Sequence, residues 1–460
     1  MNNNLKKDGL KSGEKPEAVF PPGFHNAYLF AIFNAFSFQV VLNTPMVLYA
    51  KSLGASATEL GIISGMMPLL VIFQIPASGY IRRVGYRRFV FAGWGTRVSF
   101  IFAMSIIPML GGILSSRAQI SLLLLFLFGF NLSRGISSAA WLPWIASLVP
   151  ESARGKYLAR DAACVNLASC ATFLLCAAVV GKNPDPYQYS LLFAFSAIMG
   201  ALSLTFLKRM PDVEPPENTN SSIQWFPWRE MWTNKDFKKL LLAVVVWSAI
   251  YGGMSTFAVA FMRDQVGLAS DKILVITSVS FIGGLSSLWF LGQKLDTLGS
   301  KPVLVFSMLL WLFMLAGWTS VAGGFFNSET ELLIILELLM GLGSALANMA
   351  NTKLAMATIP QNNREQYFAV FSVLSCLSMG LAPIGWGILI DACASKRFEF
   401  IGLQWNRYTI FFSAAAAVLV VSILLARRLS EPKAASMQEL LRDLILHSPQ
   451  RLWVRIWTRN

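Results

Sequence analysis

The chain has 460 residues, 55% hydrophobic and 13% charged, with a net charge of +14 at neutral pH. Charged residues make up about a quarter of an ordinary soluble chain, so a wholly water-facing fold is excluded and lipid must be the solvent for most of these side chains. The Lys and Arg lie in short clusters between apolar runs and not along one polar face, which excludes nucleic acid as a partner and reads as a topology signal.

Residues 1–23 are polar and hold no apolar core, so no cleaved leader is expected and the segment reads as a cytoplasmic extension. Twelve apolar runs follow, at 24–50, 59–81, 89–112, 119–147, 161–181, 189–207, 240–262, 272–293, 302–322, 331–357, 367–391 and 408–426. Each can form a helix that crosses the hydrocarbon, which takes about 20 residues. None alternates with period 2, so barrel strands are not expected. The expected fold class is therefore all-α integral membrane, with twelve transmembrane helices in two six-helix bundles, 24–207 and 240–426. The connection 208–239 is Pro- and Asn-rich and carries Trp225, Phe226, Trp228 and Trp232; it reads as a cytoplasmic linker lying on the headgroup layer. Residues 427–460 read as a basic amphipathic tail at the same surface.

An even number of spans leaves both termini on one side. Segments on that side hold 27 Lys and Arg, the opposite segments eight, and three lie within spans: Arg97, Arg134 and Lys353. The positive-inside rule puts both termini in the cytoplasm. The lack of a large outer domain favours a bacterial inner membrane.

The two bundles repeat each other. Val149-Pro150 is followed by Arg154 and Tyr157, and Ile359-Pro360 by Arg364 and Tyr367, an offset of 210. A membrane chain built of two similar halves is the architecture of transporters above all.

More specific is the stretch between spans 8 and 9, Gly292-Gln293-Lys294-Leu295-Asp296-Thr297-Leu298-Gly299-Ser300-Lys301. With the six-plus-six arrangement over 24–427, it resembles the major facilitator superfamily, whose signature there is Gly, Asp four later, Gly three later, then a basic pair. Gly292, Asp296, Gly299 and Lys301 match, and Ser300 replaces the first basic residue. The loop between spans 2 and 3 runs Ser78 to Arg88 and keeps Gly85, Arg87 and Arg88, but holds Arg82 where the family has its acid. The resemblance implies transport by alternating access, and a cytoplasmic gate formed by these residues with Arg154, Asp161 and Arg364. An Asp facing an Arg or a helix N-terminus latches one conformation weakly enough to break in each cycle.

An ionised group inside the hydrocarbon is costly and marks a functional position unless it has a structural partner. Arg134 lies mid-span 4 and shares a helical face with Asn131, Ser138 and Trp141. Its fork of donors suits carboxylate or phosphate, though pairing with a buried acid would serve equally as an explanation. In span 10, Glu337, Gly341, Ser344, Asn348 and Asn351 form one stripe, and the 210 offset sets Ser344, Asn348 and Asn351 opposite Arg134, Ser138 and Trp141. Matching polar faces on equivalent helices are expected at a midplane site between repeats, or in small-residue helix packing. Asn34 and Asn43 in span 1, and Trp247 and Tyr251 in span 7, complete the candidate substrate site. Glu337 is the candidate proton carrier. The Gly380, Pro383, Gly385, Gly387 run of span 11 is expected to weaken that helix.

Cofactors are not expected. The five Cys show no metal or disulfide spacing, no phosphate-binding Gly-x-x-x-x-Gly-Lys-Ser/Thr loop occurs, and no nucleophile–base pair stands out, so an enzyme is not expected. The leading function is secondary transport of a small polar or anionic organic solute, with a proton as candidate coupling ion and the chain working as a monomer in the bilayer. A lipid flippase or drug exporter on the same fold is the alternative. A membrane sensor is disfavoured because the linker and tail are too short to house a domain.

Overall fold

The computed structural model describes residues 20–150, 153–214, 228–290, 299–360, 364–400 and 402–429. The N-terminal segment up to 19, most of the linker and the tail from 430 lie outside the described residues. Eleven helices among those described are long and apolar enough to cross a membrane. In chain order they are Asn26–Ser52, Ala57–Ser78, Tyr86–Gly112, Ser116–Leu148, Tyr157–Val180, Pro186–Arg209, Lys235–Asp264, Ser300–Ala322, Thr330–Thr358, Gln366–Ala392 and Arg407–Arg427. A further helix, Ser270–Phe290, occupies the place expected for span 8. They are numbered here as spans 1–12. Helices satisfy every backbone polar group internally, which the hydrocarbon demands. Polar caps close their exposed starts: Ser56 and Glu59 form a capping box on span 2, and Asn234 accepts from the Phe237 N–H at the start of span 7.

Three spans depart from the continuous helices the sequence suggested: spans 1 and 2, and span 3, which winds as a 3₁₀ helix over Ile107–Gly112. Span 1 breaks at Asn43, whose backbone is extended (φ −128°, ψ −153°), and a new helix starts with Pro45 in its first turn. Pro has no N–H to give to the preceding turn. Span 2 holds Pro68 and tightens to a 3₁₀ turn over Val71–Phe73. Outside the bilayer helices, β1 (Phe398–Phe400) and β2 (Leu403–Trp405) form an antiparallel hairpin between spans 11 and 12, with Phe398 opposite Trp405.

The packing has an internal two-fold. Span 1 packs on spans 5 and 6, and span 3 on spans 4 and 6. Equivalently, span 7 packs on spans 11 and 12, and span 9 on spans 10 and 12. Across the halves span 2 meets span 11 and span 5 meets span 8. The span 2–span 11 contact is glycine-lined: a Cβ on Gly65 would strike the Gly380 carbonyl, and one on Gly61 the Pro383 carbonyl. Removing side chains brings the two backbones together and replaces the hydrophobic drive that lipid does not supply. Span 11 stays one helix through Pro383, and Gly380 and Gly387 serve this close approach and do not break the helix.

The repeated loop has the same job in both halves. Pro150 and Pro360 follow the last turns of spans 4 and 10. Arg154 then donates to the Ala146 carbonyl and Arg364 to the Met356 carbonyl, both at 3.2 Å, satisfying acceptors the helix ends leave open. Tyr157 lies against Phe24 (ring centroids 5.4 Å) and Tyr367 against Phe237 (4.7 Å), tying each loop to the start of span 1 or span 7.

Candidate functional site

A cavity of about 410 Å³ lies between the halves, within the size range of small-molecule sites. The N-terminal half contributes Asn43 and Thr44 at the span 1 break, Ser64 and Pro68 of span 2, and Asn166 and Phe173 of span 5. The C-terminal half contributes Tyr251, Ser255 and Thr256 of span 7, Thr277 and Ser280 of span 8, Trp311 of span 9, and Ser344 and Asn348 of span 10. Hydroxyl and amide groups are set in a larger apolar wall of aromatic and aliphatic side chains, Val47, Ile63, Met67, Met254, Met340 and Met379 among them, and among the described residues no charged side chain is part of it. The break in span 1 is what brings Asn43 here; irregular backbone at membrane depth is tolerated where it lines a cavity. Asn43 donates to Gln39 Oε1 at 2.5 Å, and Gln39 in turn donates to Ser169 Oγ at 2.5 Å, so the amide is held by a chain that ends on span 5.

Of the expected substrate residues, Asn43, Tyr251, Ser344 and Asn348 meet at this cavity. Trp247 is buried one layer behind it, with its ring 4.8 Å from that of Trp311 and stacked on Tyr251. Asn351 is buried near the end of span 10 and is not part of the wall. Glu337 is fully buried, and neither of its carboxyl oxygens has a hydrogen-bond partner among the described residues.

The other expected residues gather in a second place, inside the N-terminal half. Asn34 accepts from Trp94 Nε1 at 3.2 Å and from the Arg97 guanidinium. Arg97 is 1% exposed and lies over the rings of Trp94 (5.0 Å) and Phe130 (5.5 Å). Trp141 packs on Phe30 and Trp94. Asn131 turns its amide to the Leu127 carbonyl of its own helix, and Ser138 donates to the Gly135 carbonyl at 2.8 Å and reaches Gln74 of span 2 at 3.5 Å. Arg134 is half-buried beside them. Its stripe therefore faces spans 1, 2 and 3 of its own half, not the cavity.

The end of the molecule opposite Phe20 and Leu429, the first and last described residues, is closed by contacts between the halves. Asp391 accepts from the backbone N–H of Ala57 (3.0 Å) and Thr58 (2.8 Å) and from the Thr58 hydroxyl (2.7 Å). Asp264 holds Lys51 at 2.8 Å, Arg407 at 3.2 Å and the Tyr408 hydroxyl at 2.7 Å. The Asp271 N–H reaches the Gly181 carbonyl at 3.1 Å.

A model of the Major Facilitator Superfamily matches residues 27–383 and 257–460. The chain belongs to the Major Facilitator Superfamily. An uncharacterized transporter of this superfamily from Methanocaldococcus jannaschii is 22% identical over 369 residues, covering 75% of this chain and 86% of its own. Among solved structures, the nucleoside transporter NupG superposes with a TM-score of 0.67 at 11% identity, over 89% of this chain and 99% of its own. The D-xylose-proton symporter gives 0.66 at 13%, over 89% and 98%. A bacterial homologue of the human lysosomal transporter Spinster, inward-facing and unoccupied, gives 0.63 at 13%, over 88% and 96%. At such identities these likenesses show the fold. The protein is a multi-pass membrane transporter, not an enzyme.

The superfamily's loop signature falls partly outside the described residues, Gly292 and Asp296 among them. Gly85 and Gly299, at equivalent starts of spans 3 and 9, share a left-handed backbone (φ 83° and 87°) that a side chain would strain. Arg82 is exposed, and Lys301 lies in the first turn of span 9. Arg87 pairs with Asp212 at 3.1 Å, after span 6 of the same half, and Arg88 follows it in the first turn of span 3. Asp161 lies beside Tyr157 near the start of span 5.

Sequence reasoning passed over Ser64, Asn166, Ser255, Thr277 and Ser280. Their one signal is a small polar residue in an apolar helix, which most often bonds its own backbone. Thr277 and Ser280 do so, to the Ile273 and Thr277 carbonyls at 2.8 Å. Asp264 and Asp391 were likewise missed as closure residues.

Proposed function

We propose that the protein is a secondary transporter of a small polar organic solute, bound in the cavity between the halves and released by rocking of one half against the other. The observation that carries this reading is a cavity walled by spans 1, 2 and 5 from one half and 7, 8 and 10 from the other, capped at one end by breakable polar contacts between those halves. Polar contacts between the halves among the described residues, from Asp391 to Ala57 and Thr58, from Lys51 to Asp264 and from Asp271 to Gly181, lie at that capped end. With both termini in the cytoplasm, as the Lys and Arg distribution favours, this is an inward-facing state in a bacterial inner membrane. Hydroxyl and amide groups on both walls, with Tyr251 and Trp311 as flat apolar surfaces, suit a hydroxylated solute with a ring or short carbon skeleton. Glu337 is the group proposed to carry a coupled proton.

The test is solute exchange by the purified protein in liposomes, read with a panel of radiolabelled polar solutes. Exchange of at least one solute that falls about tenfold or more in Asn348→Leu supports the reading, since an unpaired polar group on the ligand costs that much. A panel that exchanges nothing, or exchange untouched by Asn348→Leu and Tyr251→Ala together, overturns it.

A further inference from the structure

Spans 3 and 4 run side by side with Gly93 against Ser137 and Gly129 against Phe100. That register sets Arg97 and Arg134 at the same level of the N-terminal half. Two guanidinium groups at membrane depth are costly without counter-charge, yet no ion pair joins either of them to an acid among the described residues. Among the described residues the one polar partner of Arg97 is Asn34, and its Nε is buried with none.

Asn34 decides what the site can bind. Its Oδ1 takes two donors, Trp94 Nε1 and Arg97. Only the carbonyl end of the amide can accept, so the nitrogen, with its two N–H groups, points away from them. Neither that nitrogen nor the Arg134 guanidinium donates to any described residue, and neither is among the buried atoms closed off from solvent. Both of these unpaired groups are donors, and the charge behind them is positive.

We propose that Asn34, Arg134 and, behind them, Arg97 form an anion subsite that takes a carboxylate or phosphate group of the transported solute. Resting on the transport reading above, this assigns the solute to the organic anions. Asn34 precedes Asn43 along span 1 by about 13 Å of helical rise, so the subsite lies on the inner side of the cavity. An anion leaving the cavity toward the cytoplasm meets Arg134 first, the half-buried member. Arg97 is held by Trp94 and Phe130 and contributes field and the orientation of Asn34.

The test uses the full chain in nanodiscs, titrated calorimetrically with succinate, glycerol 3-phosphate and, as the uncharged control, glycerol. At least one of the two anions binds and glycerol does not bind here. Arg134→Gln weakens anion binding about tenfold or more, the scale of one charge-assisted hydrogen bond. Arg134→Lys keeps part of it, which separates loss of charge from misfolding. Asn34→Asp sets a carboxylate beside Arg97 and abolishes anion binding while keeping the Arg97 contact. Failure of both anions to bind, or binding unchanged in Arg134→Gln and Asn34→Asp, overturns the proposal. Exchange in liposomes is read alongside: exchange that ignores Arg134→Gln removes the anion subsite and leaves transport standing. Anion binding lost in Arg134→Gln, with no exchange of any solute, removes the transport reading and leaves the subsite.

Discussion

Asp391, at the outer end of span 11, caps the helix of the other half that begins at Ala57. Its Oδ2 takes the Thr58 N–H at 2.8 Å and the Thr58 hydroxyl at 2.7 Å, and its Oδ1 takes the Ala57 N–H at 3.0 Å. The first turn of a helix has N–H groups with no partner inside the helix, and its dipole favours a negative charge there. The carboxylate thus satisfies donors that must find water when the halves part.

Asp391→Ala is expected to open this end. Hydrogen bonds to a charged group are worth about 2 kcal/mol, or roughly 30-fold in the equilibrium between closed and open forms. Spin labels at Lys182 and Phe325, exposed on outer loops of opposite halves, report the change as a longer distance population. A distribution identical to that of the unsubstituted protein would contradict the latch.

The Asp264 cluster is the second outer tie. Lys51 and Asp264 have side chains only 16% and 14% exposed, so solvent screens them less than a surface pair. Asp264→Asn leaves Lys51 beside Arg407 with no negative charge between them. The expected cost is about 1–2 kcal/mol, between the exposed and the buried cases. Lys51→Met in the Asp264→Asn background should then restore part of the loss, a coupling of about 1 kcal/mol in a double-mutant cycle read by thermal unfolding. Strict additivity of the two substitutions would show that the contact contributes nothing.

The twelve helices and the two-fold repeat were legible because lipid imposes them residue by residue: a span must be a continuous apolar run, and Pro150 with Arg154 or Pro360 with Arg364 must end one. The site was legible only in part. Asn43, Ser344 and Asn348 could be placed from their helical faces, but the break that turns Asn43 into the cavity depends on Pro45, two residues on. Arg97 had no visible partner because Asn34 lies 63 positions away in sequence. Arg134 and Ser344 occupy equivalent positions in the repeat, yet only Ser344 reaches the cavity. A repeat fixes the level of a residue, while the side chains of neighbouring spans decide which way the free space lies. The outer carboxylates were illegible for a different reason. Asp264 and Asp391 sit at span ends, where a charge looks like ordinary solvation until the partner half is in view.

Gly65 tests the close approach of spans 2 and 11. A side chain there meets the Gly380 carbonyl, which is backbone and cannot swing aside. Gly65→Val is expected to force the spans apart, abolish exchange in liposomes, and lengthen the same outer distance that Asp391→Ala lengthens. Gly79, with open space around it apart from the Pro76 carbonyl at 3.8 Å, is the control: Gly79→Ala should change neither reading. Exchange at the normal rate in Gly65→Val would mean that the contact is not needed for closure.

Glu337 is the sharpest test of coupling. Its carboxyl is fully buried in span 10 with both oxygens unpartnered among the described residues, and a charge there is costly. Glu337→Gln keeps the shape and removes the exchangeable proton. If that proton is coupled to solute movement, the variant exchanges solute across liposomes at near the normal rate. It also fails to accumulate solute when a pH gradient is imposed, because exchange needs only the loaded carrier to reorient, whereas accumulation needs the carboxyl to take up a proton on one side and release it on the other. Retained gradient-driven accumulation in Glu337→Gln would assign the carboxyl a packing role and leave the transporter either uncoupled or coupled elsewhere. Loss of both activities together with a lowered unfolding temperature would point the same way, to a structural group.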